Sequence, residues 1–409
     1  MSRAPLPAST SPESRRAGPA GWGTGGLSGR AAALRRRYPA ITDLYPLARR
    51  RVPRFAYDFV AGGVNDDLCL ARNRAALDAV TITPRYGRDV GKVDLSTDLF
   101  GQRYALPTGV SPMGLAGLLW PGIDESIAAA AQAARIPYVL STVANTTIER
   151  IARIAPDVFW YQLYNVPGDD HRVLRDLIAR AEGAGAKALV LTLDVPVRSK
   201  RYRDVRNGLS VPFRLRARTV RDVALAPRWA LSMLRHGQPR FHNFDAYLGE
   251  RAATADIAGY VYREMAGPMT WETVAMIRDL WPRALVVKGV LHPRDAEEAV
   301  RLGCEGLLVS NHGGRQFDAA PAAIDALPAI AAAVGDRMTV LMDSGIQSGL
   351  DVRRAMARGA RAGFAGRAFA MGHAALGREG PAHVIRILEE EIRLALAQSG
   401  ADAAHYAKP

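Results

Sequence analysis

The string SNHGGRQFD, residues 310–318, places a histidine and an arginine three positions apart across two glycines. His312 can exchange a proton near neutral pH, and Arg315 can hold a carboxylate through two parallel hydrogen bonds. The glycines let the backbone approach a ligand closely. The string follows a short apolar run, Gly306–Val309, so we interpret it as a catalytic loop at the end of a strand. Taken alone, the pair would be a weak signal, and a structural role would be the favoured interpretation.

Polar residues follow other apolar runs in the same way. Lys288 is one of five lysines and ends a run that should be buried, so it is not expected to be an ordinary surface charge. The last two runs lead into DSGIQSG and AGRAF, whose glycines favour a phosphate cradle, with simple tight turns as the alternative. The polar residues at run ends are Gln162, Tyr164, Thr192, Asp194, Lys288 and Asp343, and the cradle candidates are Gly345, Gly366 and Arg367.

The elements that must position these residues are short apolar runs that alternate with segments of helical period. Strands that alternate with helices pair in parallel and are buried on both faces. Eight such units in succession predict a closed (β/α)8 TIM barrel, with the polar residues at its mouth. The predicted strands are Leu106–Val110, Tyr138–Leu140, Phe159–Leu163, Ala188–Leu193, Ala284–Val287, Gly306–Val309, Thr339–Met342 and Ala362–Ala365.

The chain outside this repeat divides simply. Residues 1–30 are rich in Pro, Ser, Gly and Ala and predict a disordered tail, residues 41–77 predict a helical cap on the barrel, and 401–409 form a second tail. Residues 31–400 then make one domain.

The two cysteines are isolated in the sequence, which favours a reduced compartment. The sequence contains no HExxH or HxH pattern, so we expect no metal site. The chain lacks a spanning apolar stretch or a signal peptide, so we expect a cytoplasmic location.

One long insertion, at about 200–268, separates the fourth and fifth predicted strands. Its segment 214–240 contains seven arginines and one acid, interleaved with Leu, Val, Trp and Met, in a chain of net charge +14. Three interpretations stay open: a solvated loop over the barrel mouth, a surface that binds anionic lipid through Trp229, Leu231 and Leu234, and a nucleic-acid surface. We expect no nucleic-acid partner, since no known reader module accompanies the segment.

These motifs resemble those of the FMN-dependent L-2-hydroxyacid oxidase and dehydrogenase family, from about residue 45 to residue 400. SNHGGRQ, with an aspartate and a lysine at matching strand ends, is highly specific for it. The strings PMGLAGLLWP, LSTVANTTIE, LAPRWALSMLRHGQP and IRDLWP are most similar to the membrane-associated (S)-mandelate dehydrogenase branch. The resemblance implies FMN as cofactor, a small 2-hydroxy acid as substrate and a homotetramer.

The resemblance also implies roles at matching positions. His312 would be the base, Asp194 would pair with its imidazolium, and Tyr164 would contact the reacting oxygen. Arg315 and Arg201 would hold the substrate carboxylate. The resemblance leaves open whether the Cα hydrogen leaves as a hydride or as a proton. Lys288 would lie at the flavin N1/C2 carbonyl, where fixed positive charge favours reduction. The residues implied to bind the flavin, its ribityl chain and its phosphate are Met113, Gly114, Ser141, Gln162, Thr192, Ser310, Asp343, Gly345, Gly366 and Arg367.

Two positions depart from the family pattern. Phe59 stands where the family has a tyrosine that helps to bind the carboxylate, and Gln347 stands where it has a phosphate-binding arginine. The lost tyrosine hydroxyl predicts a cost of about 1.5–3 kcal/mol in substrate binding unless another group replaces it. Gly114 and Val143 predict extra room beside the flavin, which would suit an aryl or branched substrate.

The sequence therefore predicts FMN-dependent oxidation of an (S)-2-hydroxy acid, mandelate-like or L-lactate, to the 2-oxo acid. Electrons would pass to a membrane quinone, with the protein peripheral on the inner face of the membrane. The main alternative is a soluble oxidase that uses oxygen and releases hydrogen peroxide. A flavin isomerase of prenyl diphosphates would share the barrel without needing a carboxylate-binding pair, and a basic scaffold could keep the barrel without any chemistry.

Overall fold

The structure is a computed structural model that describes residues 29–91, 93–209, 217–248, 259–261, 263 and 267–401. The predicted tails lie outside these residues, apart from Gly29, Arg30 and Ala401 at their inner ends. Parts of the predicted insertion lie outside them as well. Gly29 and Arg30 begin the first helix.

A helical cap precedes the barrel, as predicted. It contains α1 (Gly29–Arg37), a short 3-10 turn, α2 (Leu44–Arg51), α3 (Arg54–Ala61) and α4 (Leu68–Ala79). Leu44, Ala48, Phe55 and Ala56 turn apolar side chains inward, and α2 packs against the helix that follows the last barrel strand. Further along, Asp318 Oδ1 accepts a hydrogen bond from the Cys69 amide at 2.8 Å, which ties α4 to the catalytic loop.

A two-stranded hairpin, β1 (Thr97–Leu99) and β2 (Gln102–Tyr104), follows the cap and was not predicted. Phe100 at its turn has a positive φ of 52°, and its ring lies 5.5 Å from that of Trp160 near the start of the third barrel strand. Trp160 Nε1 also donates to Tyr104 Oη at 2.9 Å. The hairpin therefore closes the end of the barrel opposite the predicted catalytic loop.

Eight parallel strands close into a barrel, which confirms the predicted fold. Four strands have the predicted bounds. The first begins two residues later than expected, and the fifth runs on to Val290 through a bulge at Gly289, whose φ is 96°. The strands are β3 (Thr108–Val110), β4 (Tyr138–Ser141), β5 (Phe159–Leu163), β6 (Ala188–Thr192), β7 (Ala284–Val290), β8 (Gly306–Val309), β9 (Thr339–Met342) and β10 (Ala362–Ala365).

Helices surround the barrel and bury apolar stripes against it. Thr147, Thr270 and Ser348 cap three of them by accepting hydrogen bonds from amides three residues on. The helices are α5 (Ile123–Ala134), α6 (Ile148–Ile154), α7 (Gly168–Gly183), α8 (Tyr202–Asn207), α9 (Ala217–Ala224), α10 (Pro227–His236), α11 (Asp245–Leu248), α12 (Trp271–Leu280), α13 (Pro293–Arg301), α14 (Ala323–Val334), α15 (Gly349–Ala357), α16 (Arg367–Leu376) and α17 (Gly380–Ser399).

The described part of the insertion lies on the barrel through one tryptophan. Trp229 of α10 is 7% exposed, its ring makes an edge contact with Phe55 at 5.6 Å, and its Nε1 donates to the Leu118 carbonyl at 3.2 Å. The expectation that Trp229 faces lipid is therefore wrong. Leu231 and Leu234 are 67% and 84% exposed, as that interpretation requires of them.

Candidate active site

A cavity of about 690 Å³ opens at the carboxyl ends of the barrel strands, a volume typical of small-molecule and cofactor sites. Its walls come from the strand ends, from Phe59 and Val60 of α3, and from residues of the insertion. The predicted site residues that line it are Phe59, Met113, Gly114, Tyr164, Thr192, Arg201, Lys288, His312, Arg315, Asp343, Gly345, Gln347, Gly366 and Arg367. The other four, Ser141, Gln162, Asp194 and Ser310, are not among the lining residues.

His312 is held by its backbone and by a carboxylate. Its φ is 58°, an uncommon conformation for a residue other than glycine, and its amide donates to Ser310 Oγ at 3.0 Å. The amides of Asn311 and Gly313, on either side of His312, both donate to Ser344 Oγ. The His312 Nδ1 lies 2.9 Å from Asp194 Oδ1, so the carboxylate favours the tautomer with the proton on Nδ1.

This pairing leaves Nε2 of His312 as the basic nitrogen. Burial, helped by the Lys288 charge, lowers the pKa of His312 from its ordinary value, so the imidazole is neutral at pH 7. Burial alone would raise the pKa of Asp194, but its interactions with His312 and with the Lys288 charge outweigh burial, and the pKa is lowered. An ionised Asp194 beside a neutral histidine is the arrangement that a general base requires.

Two arginines place positive charge at the mouth. Arg315 Nη1 donates to the carbonyls of Phe59 and Gly62 at 2.7 and 2.8 Å, and its guanidinium lies 5.3 Å from the Phe59 ring centroid. Within the described residues, nothing accepts a hydrogen bond from Arg315 Nη2 or from the buried Nε of Arg201. Burial and the nearby Arg201 lower the pKa of Arg315 well below its ordinary value, so an anion between the two would relieve repulsion.

The deeper part of the cavity fits a flavin ring. The Nε2 of Gln162 and the Oγ1 of Thr192 are buried polar atoms without a hydrogen-bond partner among the described residues. The buried Nζ of Lys288 donates to Ser310 Oγ at 3.1 Å and lies 4.0 Å from Asp343 Oδ2. An isoalloxazine presents ring carbonyls and nitrogens that accept hydrogen bonds, which these donors can satisfy.

The far end of the cavity carries the predicted phosphate residues. Arg367, the first residue of α16, donates to the carbonyls of Val60, Gly62 and Gly313 at 2.8–2.9 Å, which occupies three of its five N–H groups. Gln347 lines the cavity, and its Nε2 is 3.5 Å from the hydroxyl of Tyr45. An anion here would therefore meet the N-terminus of α16 and part of one guanidinium.

Sequence reasoning missed two residues around this end. Arg74 lines the cavity, but its hydrogen bonds to Asp78, Asp351 and the Gly345 carbonyl use all of its donors, so it shapes the turn and leaves none for a ligand. Ser111 Oγ donates to Asp343 Oδ2 at 3.1 Å. Ser111 follows the first barrel strand directly, a signal that was available in the sequence.

Part of the cavity lining is apolar. Gly114 contributes less room than expected, because a Cβ there would come within 2.5 Å of Val143 Cγ2, so the valine fills that space. The apolar wall instead comes largely from the insertion and the chain just after it: Val205, Leu209, Phe241, Val261 and Met269.

Comparison with known proteins agrees with this geometry. The family model of FMN-dependent dehydrogenases matches residues 48–409. The L-lactate dehydrogenase of Caulobacter vibrioides is 42% identical over 362 residues, which cover 88% of this chain and 94% of that protein. The chain belongs to the FMN-dependent dehydrogenase family. FMN is accordingly its cofactor, and the cavity at the barrel mouth contains the donors that this cofactor needs.

Solved structures of family members support the same assignment. The chain superimposes on the monotopic membrane protein (S)-mandelate dehydrogenase with a TM-score of 0.84 at 36% identity, covering 88% of this chain and 95% of that one. A mandelate oxidase gives a TM-score of 0.76 at 37% identity, covering 89% and 96%. Within the part of the chain that the structure describes, no helix combines the length and apolar character needed to cross a bilayer.

Proposed function

We propose that this protein oxidises (S)-2-hydroxy acids with an aryl or branched side chain, with L-lactate as a second candidate, and passes the electrons to a membrane quinone. The observation that carries the proposal is the His312–Asp194 pair, 2.9 Å apart, in one cavity with Arg315 and Arg201. A base beside two guanidinium groups matches a substrate that loses a proton next to a carboxylate.

Each side chain has a role that follows from its surroundings. Arg315 Nη2 and Arg201 Nε bind the substrate carboxylate, because both have donors to spare. Burial raises the pKa of Tyr164, so its phenol stays protonated and donates to the substrate oxygen. His312 Nε2 takes the proton, and Asp194 stabilises the imidazolium that forms. The hydroxy acid is then oriented with its side chain toward the apolar wall.

FMN supplies two-electron acceptor chemistry in the deeper part of the cavity. Gln162, Thr192 and Lys288 would hold its ring, and Asp343, Gly345, Gly366 and Arg367 would hold its ribityl chain and phosphate. Lys288 stays charged, because Asp194 and Asp343 outweigh the burial that would otherwise lower its pKa. A fixed cation at the ring favours electron uptake.

The reaction is tested by an anaerobic visible spectrum of the flavin-loaded protein, before and after addition of (S)-mandelate, (R)-mandelate or L-lactate. Bleaching of the flavin by the S acids alone supports the proposal. A bound flavin that no 2-hydroxy acid bleaches would refute the reaction.

A second candidate, an oxidase that uses oxygen, draws support from the similarity to a mandelate oxidase. Hydrogen peroxide formed in equal amount with the 2-oxo acid would favour it.

The proposed membrane contact is a surface on α9 and α10. On it, exposed aliphatic side chains alternate with exposed arginines, a pattern typical of helices that lie on anionic lipid. We call it the amphipathic surface; its residues are Arg218, Val220, Arg221, Leu225, Arg228, Leu231, Leu234 and Arg235.

The double substitution Leu231→Ser, Leu234→Ser tests this surface without disturbing Trp229, the residue that attaches α10 to the barrel. We expect weaker sedimentation with phosphatidylglycerol vesicles, with flavin reduction by substrate unchanged. The matched control is Tyr86→Ser, which removes an aromatic ring that is 83% exposed elsewhere. Equal vesicle binding by the double variant and the wild type would contradict the assignment.

The tetramer implied by the resemblance is tested by light scattering.

A further inference from the structure

A second cavity, of about 760 Å³, lies outside the active site. It is bounded by α5, by the C-terminal end of α10 and by the loop that precedes α5. The chemistry proposed for the active site does not use it. Its lining includes Trp120, Ser126, Ala130, His236, His242 and His373.

The two cavities share a wall in three places. In each place, residues that are close in the chain line different cavities. Ala116, Val143 and Phe241 line the active-site cavity, whereas Gly117, Asn145 and His242 line the second cavity. Successive Cα atoms are about 3.8 Å apart, so the wall is one or two residues thick at these points.

Asn145 holds this wall together. Its Oδ1 accepts from the Gly117 amide at 2.7 Å, and its Nδ2 donates to the Arg240 carbonyl at 2.9 Å. A Cβ at Gly117 would come within 2.7 Å of Asn145 Oδ1, so a larger residue there would thicken or displace the wall. Hydrogen bonds between these three segments therefore hold the two cavities close together.

The lining of the second cavity combines hydrogen-bond donors, an ion pair of Arg150 with Glu125 and apolar side chains. His236, His242 and Arg378 carry N–H groups, and Trp120 and Ala130 are apolar. Burial lowers the pKa of His373 to about 4, and its Nδ1 lies 3.0 Å from Ser126 Oγ, so this imidazole is neutral. Donors beside apolar side chains suit a ring that bears carbonyl oxygens.

A buried carboxyl lies behind the same wall. Asp124 is 3% exposed, and its oxygens accept from the Asn145 amide and the Tyr138 hydroxyl, each at 3.3 Å. Burial raises its pKa to about 7. Its neighbours Glu125 and Ser126 line the second cavity, so a group that can exchange a proton at neutral pH lies next to it.

Helix α10 carries both part of the amphipathic surface and part of the lining of this cavity. Ser232 and His236, one helical turn apart on α10, line it, while Leu231 and Leu234 are exposed on the same helix. A ligand with a long apolar tail could hold its ring in the cavity and leave the tail along these leucines in the lipid.

We propose that this second cavity binds the quinone ring of the electron acceptor. The proposal rests on the quinone acceptor of the proposed function. Oxidation of a 2-hydroxy acid to the 2-oxo acid releases two electrons and two protons, and reduction of a benzoquinone to its quinol takes up both. FMN, when bound, would supply the two-electron carrier, and the cavity that would hold it shares a wall with the second cavity.

The test is the substitution Ala130→Trp in the flavin-loaded protein, which fills the cavity from α5. The matched control is Ala133→Trp, on the same helix, exposed and outside the lining. We expect kcat/KM for decylubiquinone to fall about tenfold or more in the first variant and to stay unchanged in the second. Flavin reduction by (S)-mandelate should be unchanged in both.

A binding measurement gives a readout that does not depend on turnover. An azido-benzoquinone, photolysed with the flavin-loaded protein, should label peptides of α5 or α10, and Ala130→Trp should abolish that label. Wild-type quinone reduction by Ala130→Trp, or labelling confined to the active-site cavity, would overturn the proposal. Competition by a short-chain phosphatidylglycerol, without competition by decylubiquinone, would assign the cavity to a lipid headgroup instead. Failure of every 2-hydroxy acid to bleach the flavin would refute the proposed function and leave the labelling result standing.

Discussion

Replacing Asp194 with asparagine isolates the contribution of one charge to the reaction. Asparagine has nearly the same shape and keeps an oxygen that can accept from His312 Nδ1, which lies 2.9 Å from the carboxylate. What the variant loses is the negative charge that faces the imidazolium. The buried Lys288, which opposes that imidazolium, remains in place.

The size of the effect follows from Coulomb's law. With charge centres about 4 Å apart and an effective dielectric constant near 20, a unit ion pair contributes about 4 kcal/mol. About 4 kcal/mol of lost transition-state stabilisation corresponds to a rate about a thousandfold lower. Because the retained hydrogen bond recovers part of the orientation, we expect Asp194→Asn to slow flavin reduction by about a hundredfold to a thousandfold.

The assay is anaerobic stopped-flow reduction of the bound flavin by (S)-mandelate, at saturating substrate. Flavin content and the thermal melting temperature control for folding. Substrate affinity should change little, because Arg315 and Arg201 are untouched. A reduction rate within about threefold of the wild type would refute the assignment of Asp194 to the imidazolium, since it would leave less than about 1 kcal/mol for the pair.

Three further predictions concern the base, the cofactor and the insertion. Since burial lowers the pKa of His312, the acidic limb of the kcat/KM profile should fall below pH 6.5, and a limb above that value would contradict a buried neutral base. Gln347→Arg should tighten FMN about tenfold to a hundredfold in a fluorescence titration and leave riboflavin unchanged, because it adds a cation for the phosphate alone. Trp229→Ala should lower the free energy of unfolding in urea by about 3–5 kcal/mol, against a change within about 0.5 kcal/mol for the exposed Leu234→Ala.

The barrel and the clustering at its mouth could be predicted because both depend on local patterns. Apolar runs at regular spacing determine the strands, and a residue that directly follows a parallel strand must lie at the carboxyl edge. Tyr164, Asp194 and Asp343, which directly follow predicted strands, could therefore be assigned to one site without coordinates. The same rule would have found Ser111, which follows the first barrel strand.

The errors came from contacts between residues far apart in the chain. Trp229 has the sequence surroundings of a lipid-facing residue, yet Phe55 and the Leu118 carbonyl, more than a hundred positions away, bury it. The missing side chain of Gly114 predicted free space, which Val143 fills. The hairpin that carries Phe100 is three residues per strand, too short for a periodic signal.

Two cavity-lining guanidinium groups also hold the end of the cap. Arg315 and Arg367 together donate to the carbonyls of Phe59, Val60 and Gly62, where α3 ends. If the cap opened, these carbonyls would lose their partners, Arg315 would lose both of its carbonyl acceptors, and Arg367 would keep only the carbonyl of Gly313. The cap and the two arginines at the mouth therefore form one cooperative unit, and we expect an anion bound there to slow hydrogen exchange in α3 and proteolysis of the cap.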